Sequence, residues 1–176
     1  MPTNLLGDIC LFKGQSYVVD KIGRTVSVRR NDSSVQLVAE PLVDGGGQIK
    51  FLVEIQGDLL LADVYNCLYA GFPYDDSVRI DLFKLNEKEK KWVKLTSLGD
   101  KVLFLGECCS FSASVSDLCG FKGDCVIFME TILQSLANSP PQAFILHLNE
   151  DQLSPLSDYP EYANLFWPPP EWIVQS

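Results

Sequence analysis

Phe12-Lys13-Gly14-Gln15-Ser16-Tyr17-Val18-Val19-Asp20 sets a turn glycine in front of a short apolar run, and the same arrangement returns twice along the chain. Ile55-Gln56-Gly57-Asp58-Leu59-Leu60-Leu61-Ala62-Asp63 is a looser copy, and Phe121-Lys122-Gly123-Asp124-Cys125-Val126-Ile127-Phe128-Met129 a closer one. Glycine supplies the positive φ that a tight turn demands, and the runs that follow are rich in strand formers. The glycines stand 43 (14 to 57) and 66 (57 to 123) positions apart, near or somewhat above the ~40 to 50 residue period of four-stranded propeller blades. A β-propeller with a loop insertion in the second interval fits this spacing. A β-sandwich containing three similar hairpins is the alternative.

Around these copies the chain reads with period two, in short apolar runs cut by Gly, Asp and Asn. Strands are expected over 16–20, 25–30, 35–39, 49–55, 59–65, 78–85, 92–95, 102–105, 110–115, 125–129 and 143–148. Asp20-Lys21-Ile22-Gly23 is a hairpin turn, Asp44-Gly45-Gly46-Gly47 a flexible loop, and Asn86 to Lys91 a polar hairpin loop. One short helix is expected near 130–137, with Ile132, Leu133 and Leu136 on one face and a stop at Asn138-Ser139-Pro140-Pro141. At ~45 residues per blade, 176 residues make about three to four blades. The expected fold is therefore all-β, a partial propeller of antiparallel four-stranded sheets over residues 1–150, with a Pro/aromatic-rich tail over 151–176 packing on the last blade. An unclosed array exposes sheet edges that invite pairing, so the chain is expected to be a piece of a longer protein or to associate.

Composition narrows the function. Hydrophobic residues at 47% and charged residues at 21% describe a chain that folds. Fourteen Lys and Arg against 23 Asp and Glu give a net charge of −9, the wrong sign for neutralising phosphates, so nucleic acid is not expected as a partner. No Lys or Arg follows Lys122, and Asp124, Glu130, Glu150, Asp151, Asp158, Glu161 and Glu171 carry −7 of the total, leaving −2 for the first 122 residues. A solvated acidic face is the plainer account of that excess. Neither a secretion signal nor a run long enough to span a membrane is present in the sequence. An intracellular chain, cytoplasmic or nuclear, is expected, with an organelle left open, and Cys10, Cys67, Cys108, Cys109, Cys119 and Cys125 read as reduced thiols.

Leu82-Phe83-Lys84-Leu85-Asn86, Trp92-Val93-Lys94-Leu95, the block Ser97-Leu98-Gly99-Asp100-Lys101-Val102-Leu103-Phe104-Leu105-Gly106 and the following Ser110-Phe111-Ser112 together resemble a known family. It is the C-terminal β-propeller of plant F-box proteins of the KIB type. Lys13, Gly14, Tyr17, Val19, Asp20, Gly23 and Arg24 match its opening strand and hairpin, and Tyr159-Pro160 with Trp167 to Ile173 match its closing signature. The resemblance implies a propeller that selects protein clients for ubiquitination, tethered to the adaptor of a cullin ligase by an F-box. No such segment precedes Gly7, so adaptor binding is expected only if an F-box lies upstream. The stretch between Met129 and Ala143 is more apolar than the family's loop, which admits a truncated, poorly functional gene product as a further alternative.

Enzymatic readings find little to work with. The lone histidine, His147, lies in a candidate strand, no Gly-x-Ser-x-Gly elbow or phosphate loop occurs, and no Cys-x-x-Cys pair stands among Cys108, Cys109, Cys119 and Cys125. No catalytic residue, cofactor or metal is expected. A metal-dependent or small-molecule enzyme using His147 and the Cys108 to Cys125 group is the alternative. Interaction candidates are the aromatics on proline-stiffened segments, Phe72 and Tyr74 in one loop and Tyr159, Tyr162, Trp167 and Trp172 near the end. Such side chains give contact area at low entropic cost, or fold back and cap their own domain.

Overall fold

The computed structural model describes residues 7–43, 46–66, 78–106, 109–118, 120–129, 143–150 and 152–163. The chain divides into two compact units, Met1–Thr96 with Ser110–Ser112, and Ser97–Cys109 with Ala113–Ser176. The helix expected near 130–137 lies outside the described residues.

The first unit holds two four-stranded antiparallel sheets, each a meander of consecutive strands. One contains β1 (Asp8–Phe12), β2 (Gln15–Val19), β3 (Thr25–Val28) and β4 (Val35–Ala39); the other contains β5 (Ile49–Ile55), β6 (Asp58–Asn66), β7 (Val78–Asn86) and β8 (Lys91–Leu95). Their first hairpins turn alike. Lys13 and Gly14 take φ of 48° and 74°, and Gln56 and Gly57 take 50° and 83°. Two consecutive positive φ values define the two-residue turn whose twist matches that of paired strands, and glycine at the second position adopts it without a Cβ penalty. Asp20 secures the next corner, its Oδ1 accepting from the backbone N–H groups of Ile22 at 3.0 Å and Arg24 at 2.9 Å.

The two sheets share one core. Phe12, Val19 and Ala39 from the first pack with Leu52, Leu59, Leu61, Phe83, Leu85 and Trp92 from the second. Buried polar groups tie them as well: Trp92 Nε1 donates to the Gly23 carbonyl at 2.9 Å, and the Leu52 N–H donates to Asp8 Oδ2 at 2.8 Å. Both bonds run from donors in the second sheet to acceptors in a turn and the first strand of the first, so burial of the apolar side chains and satisfaction of the indole occur together.

The third sheet departs from the expected four-stranded antiparallel pattern. It has five strands in the order β10-β9-β11-β12-β13, made of β9 (Lys101–Leu105), β10 (Phe111–Ser114), β11 (Cys125–Met129), β12 (Ala143–His147) and β13 (Gln152–Pro155), all but the start of β10 in the second unit. β11 runs parallel to β9, with Cys125 opposite Val102 and Phe128 opposite Leu105. A parallel pair needs a long crossover, and the Phe121-Lys122-Gly123-Asp124 copy is the end of that crossover. Positive φ falls on Asp124 (61°) and not on Gly123. Gly123 is required for a different reason, because a Cβ there would stand 2.3 Å from the Gly99 carbonyl oxygen. β1 and β13 are two strands that periodicity does not mark, both short and at sheet edges. β13 carries the sheet past residue 150, and a 3-10 turn (Leu156–Asp158) and the one-turn α1 (Pro160–Ala163) follow it.

Candidate interaction surface

A charged row crosses one end of the second sheet. Lys50 on β5 stands opposite Asp63 on β6, and Asp63 stands opposite Asp81 on β7. Lys50 Nζ meets Asp63 Oδ1 at 2.5 Å with both side chains 0% exposed, and it also donates to the Gly47 carbonyl at 2.6 Å. The Gly47 N–H returns a bond to Asp63 Oδ2 at 3.3 Å. Gly47 has to be glycine for lack of room, since a Cβ would lie 2.1 Å from Asp63 Oδ1. Buried charges persist when every lone pair and proton finds a partner, and the close approach of the Gly47 backbone supplies the remaining ones here.

The row ends at the buried Asp81, which binds two exposed cations, Arg79 Nη2 at 2.5 Å and Lys94 Nζ at 3.1 Å. Burial works to raise the Asp81 pKa, and the hydrogen bonds and charges of Arg79 and Lys94 outweigh it, holding the carboxyl below its ordinary range. The Arg79 guanidinium also lies over the Tyr65 ring, 4.8 Å from its centroid, and the Tyr65 hydroxyl accepts from the Gly46 N–H at 3.0 Å. Burial, followed by the negative charges of Asp63 and Asp81, pushes the Tyr65 phenol up, against the lowering effect of the Gly46 bond. These contacts brace the ends of β6 and β7, where Asn66 pairs with Val78. Between those two residues runs the segment that holds Phe72 and Tyr74, which lie outside the described residues.

Sequence reading missed this row. Lys50 and Asp63 sit inside apolar strands, and only the register that sets them opposite one another distinguishes a buried pair from two surface charges. Their shared alternation with Leu52 and Leu61 was the available signal.

Tyr159 and Tyr162 are brought together in the second unit, and Trp167 and Trp172 lie outside the described residues. Tyr162 is 3% exposed. Its ring stacks on Phe121 with centroids 3.6 Å apart and on Tyr159 at 5.2 Å. Its hydroxyl accepts from the Lys122 N–H and donates to the Gly120 carbonyl, each at 3.3 Å. Tyr162 is thus a packing residue, with Leu156 and Phe121, over the sheet residues Val102, Phe104, Cys125, Ile127 and Ile145. Tyr159 is half-buried beside it and has its ring 5.8 Å from that of His147.

His147 and Cys125 are direct cross-strand partners, so the histidine and one cysteine of the enzymatic alternative do lie side by side. Cys125 is fully buried, its thiol donating to the Lys122 carbonyl at 3.4 Å. Burial, and secondarily the Asp124 charge, pushes its pKa up to about 12, and a thiol held protonated is a poor nucleophile and ligand. Cys109 is exposed and Cys10 half-buried; Cys67, Cys108 and Cys119 lie outside the described residues. Cys109 falls between β9 and β10 and belongs to neither strand. Among the described residues no three His, Cys, Asp or Glu side chains gather to hold a metal ion. Among them, too, no helix is long and apolar enough to cross a membrane.

Glycine-turned meanders packed sheet on sheet, with almost no helix among the described residues, fit the β-propeller class. Residues 2–154 match the KIB1-4 beta-propeller family, and the chain belongs to it. It is 36% identical over 183 residues to F-box protein At2g17036 of Arabidopsis thaliana, covering 96% of this chain and 45% of that one. It is 34% identical to F-box protein SKIP23 of the same plant, over 95% of this chain and 46% of that one. Putative F-box/kelch-repeat protein At5g24040 is similar at 24% identity over 99% of this chain. The chain thus spans about half the length of the curated relatives it matches. No solved structure matches it at a significant level. The fold is an all-β partial propeller with three sheets among the described residues.

Proposed function

We propose that this chain is a non-enzymatic protein-interaction domain, the client-recognising propeller portion of an F-box-type substrate receptor. The observation that carries the reading is its similarity, along nearly its whole length, to F-box proteins about twice as long. In those relatives the F-box is named in the protein itself; on this reading it joins the ligase adaptor while the propeller holds the client. Two features of the site support a recognition role. The ends of β6 and β7, which flank the stretch of sequence containing Phe72 and Tyr74, are stiffened by the Tyr65, Arg79 and Asp81 contacts, and recognition residues work best on rigid supports. The Cys125 thiol is committed to a carbonyl and kept protonated, which leaves His147 without an activated partner there.

The test is reconstitution with a purified ligase adaptor. Residues 1–176 are expected to form no complex, and the same chain joined behind the F-box of a relative is expected to form one. Robust adaptor binding by residues 1–176 overturns this division of labour.

A further inference from the structure

We propose that Ser33, in the turn between β3 and β4, is a phosphorylation site for a protein kinase that reads arginine three residues before its serine, and that Arg29 and Arg30 then pair with the phosphate. The chain reverses through Arg30, Asn31 and Asp32, and every residue from Arg29 to Ser33 is exposed. The turn projects beyond Val28 and Val35, the last cross-strand pair of its hairpin, whereas a neighbouring sheet packs on a sheet's face. Its exposure therefore does not depend on what stands beside the first sheet.

Spacing and burial together single out this hydroxyl. Kinases choose substrates by the charge pattern around the acceptor. Three residues after Arg24 stands Ser27, which is 3% exposed, and three after Arg29 and Arg79 stand Asp32 and Leu82. Arg30 alone among the arginines has an exposed acceptor at that distance, with Arg29 one residue further back. Lysine holds the same position before Ser16 and Ser97, which makes them natural comparisons.

The turn can be drawn out without disturbing the core. It is closed by the Arg29 N–H donating to the Ser34 carbonyl and the Ser34 N–H donating to Asp32 Oδ1, each at 3.0 Å. Ser33 itself sits at φ 54°, a conformation unfavourable to a residue with a Cβ. Extension of the turn in a kinase cleft relieves that strain.

The charge of the tip suits the product. Arg29, Arg30 and Asp32 are its charged groups, two positive and one negative. Hydrogen bonds from the Ser34 hydroxyl and N–H, and then the Arg29 charge, hold the Asp32 carboxyl below its ordinary range. In the transfer, Ser33 Oγ bonds to the γ-phosphorus of ATP as the bond from that phosphorus to the bridging oxygen breaks; ADP leaves, and the serine proton passes to the kinase's base. Phosphoserine brings about −1.5 to −2 charges and three acceptor oxygens, and two guanidinium groups on a turn about 7 Å across can meet them in charge-assisted bonds.

The test incubates the full 176-residue chain with calcium/calmodulin-dependent protein kinase, magnesium and ATP, beside the free peptide of residues 24–39, and locates phosphate by mass spectrometry. Ser33 should be modified in both. Ser27, open in the peptide and buried in the chain, should be modified only in the peptide. Arg30→Gln should slow modification of Ser33 in the chain roughly tenfold or more, as loss of a charged hydrogen-bond donor does. Phosphorus NMR then reads the pairing: the phosphate on the chain should titrate several tenths of a pH unit below that on the peptide, because the turn holds both arginines beside it, and Arg29→Gln should remove part of the difference.

A chain left unmodified at Ser33, whether or not the peptide reacts, overturns the site. So does phosphate on Ser16, Ser34 or Ser97 in place of Ser33, modification of Ser27 in the chain, or indifference to Arg30→Gln. A phosphate that titrates as it does on the peptide overturns the pairing.

Discussion

Lys50→Met keeps the length and apolar stem of the side chain and deletes its ammonium, so it isolates the buried ion pair of the first unit. The Asp63 carboxylate, fully enclosed, then loses its 2.5 Å partner and retains the 3.3 Å Gly47 N–H and the Tyr65 hydroxyl. The Gly47 carbonyl loses its 2.6 Å donor at the same time. Breaking one side of a buried pair costs about 3–5 kcal/mol, because the remaining charge has no water to turn to, and a whole domain has only about 5–15 kcal/mol to lose. With a urea dependence of about 2 kcal/mol per molar, the unfolding midpoint should fall by roughly 2 M. Fluorescence of Trp92, in the same unit, reports the transition once Trp167 and Trp172 are replaced by Phe. The double variant Lys50→Met/Asp63→Leu removes both charges and should recover much of the loss, since an apolar pair of similar volume is often as stable as the ions. A Lys50→Met midpoint within experimental error of the parent, or a double variant as damaged as the sum of its singles, would refute the reasoning.

The remaining predictions concern titration and turn geometry. The Cys125 pKa rises from an ordinary 9.0 to about 12 on folding, so the folded state keeps a proton that the unfolded state releases; stability is fully present below pH 9 and falls as pH rises towards 12. Cys125→Ala should flatten that alkaline slope, and mass-spectrometric mapping of thiol alkylation in the native protein should find Cys109 modified and Cys125 protected. Asp81 is shifted the other way, so its contribution is present above the unfolded carboxyl range near 3.8 and is lost as pH falls through the depressed value; Asp81→Asn should make the acid limb of an unfolding curve shallower. Gly57→Asn should be nearly neutral and Gly57→Ala cost about 1 kcal/mol, because only the positive φ is at stake. Gly123→Ala should cost more, about 2 kcal/mol or above, and gain nothing from Asn, because its Cβ would meet backbone. Equal losses at both glycines in urea titrations would count against the two different roles assigned to them.

Much of the fold is legible in the chain itself. Val35–Ala39, Ile49–Ile55 and Cys125–Met129 are read to the residue, because a strand and its hairpin depend on alternation and on turn glycines a few residues away. The first two glycine copies behave alike for the same reason. The third does not, although its sequence is the closer match to the first: its strand pairs in parallel with β9, and what decides that is which non-adjacent strand arrives beside it. The candidate contact residues divide along the same line. An aromatic such as Tyr162 reads equally as a surface anchor or a core filler, and only the placement of Phe121 and Tyr159 around it makes it the latter.

Local sequence, then, determines the strands, their turns and the all-β class, because backbone propensity and period-two burial act over a few residues. The tertiary structure alone decides that Lys50 and Asp63 meet inside the sheet, that Cys125 stays protonated beside His147, and that Ser27 is buried while Ser33 is left exposed. Each of these depends on what long-range packing removes from water, and no window of neighbouring residues contains that information.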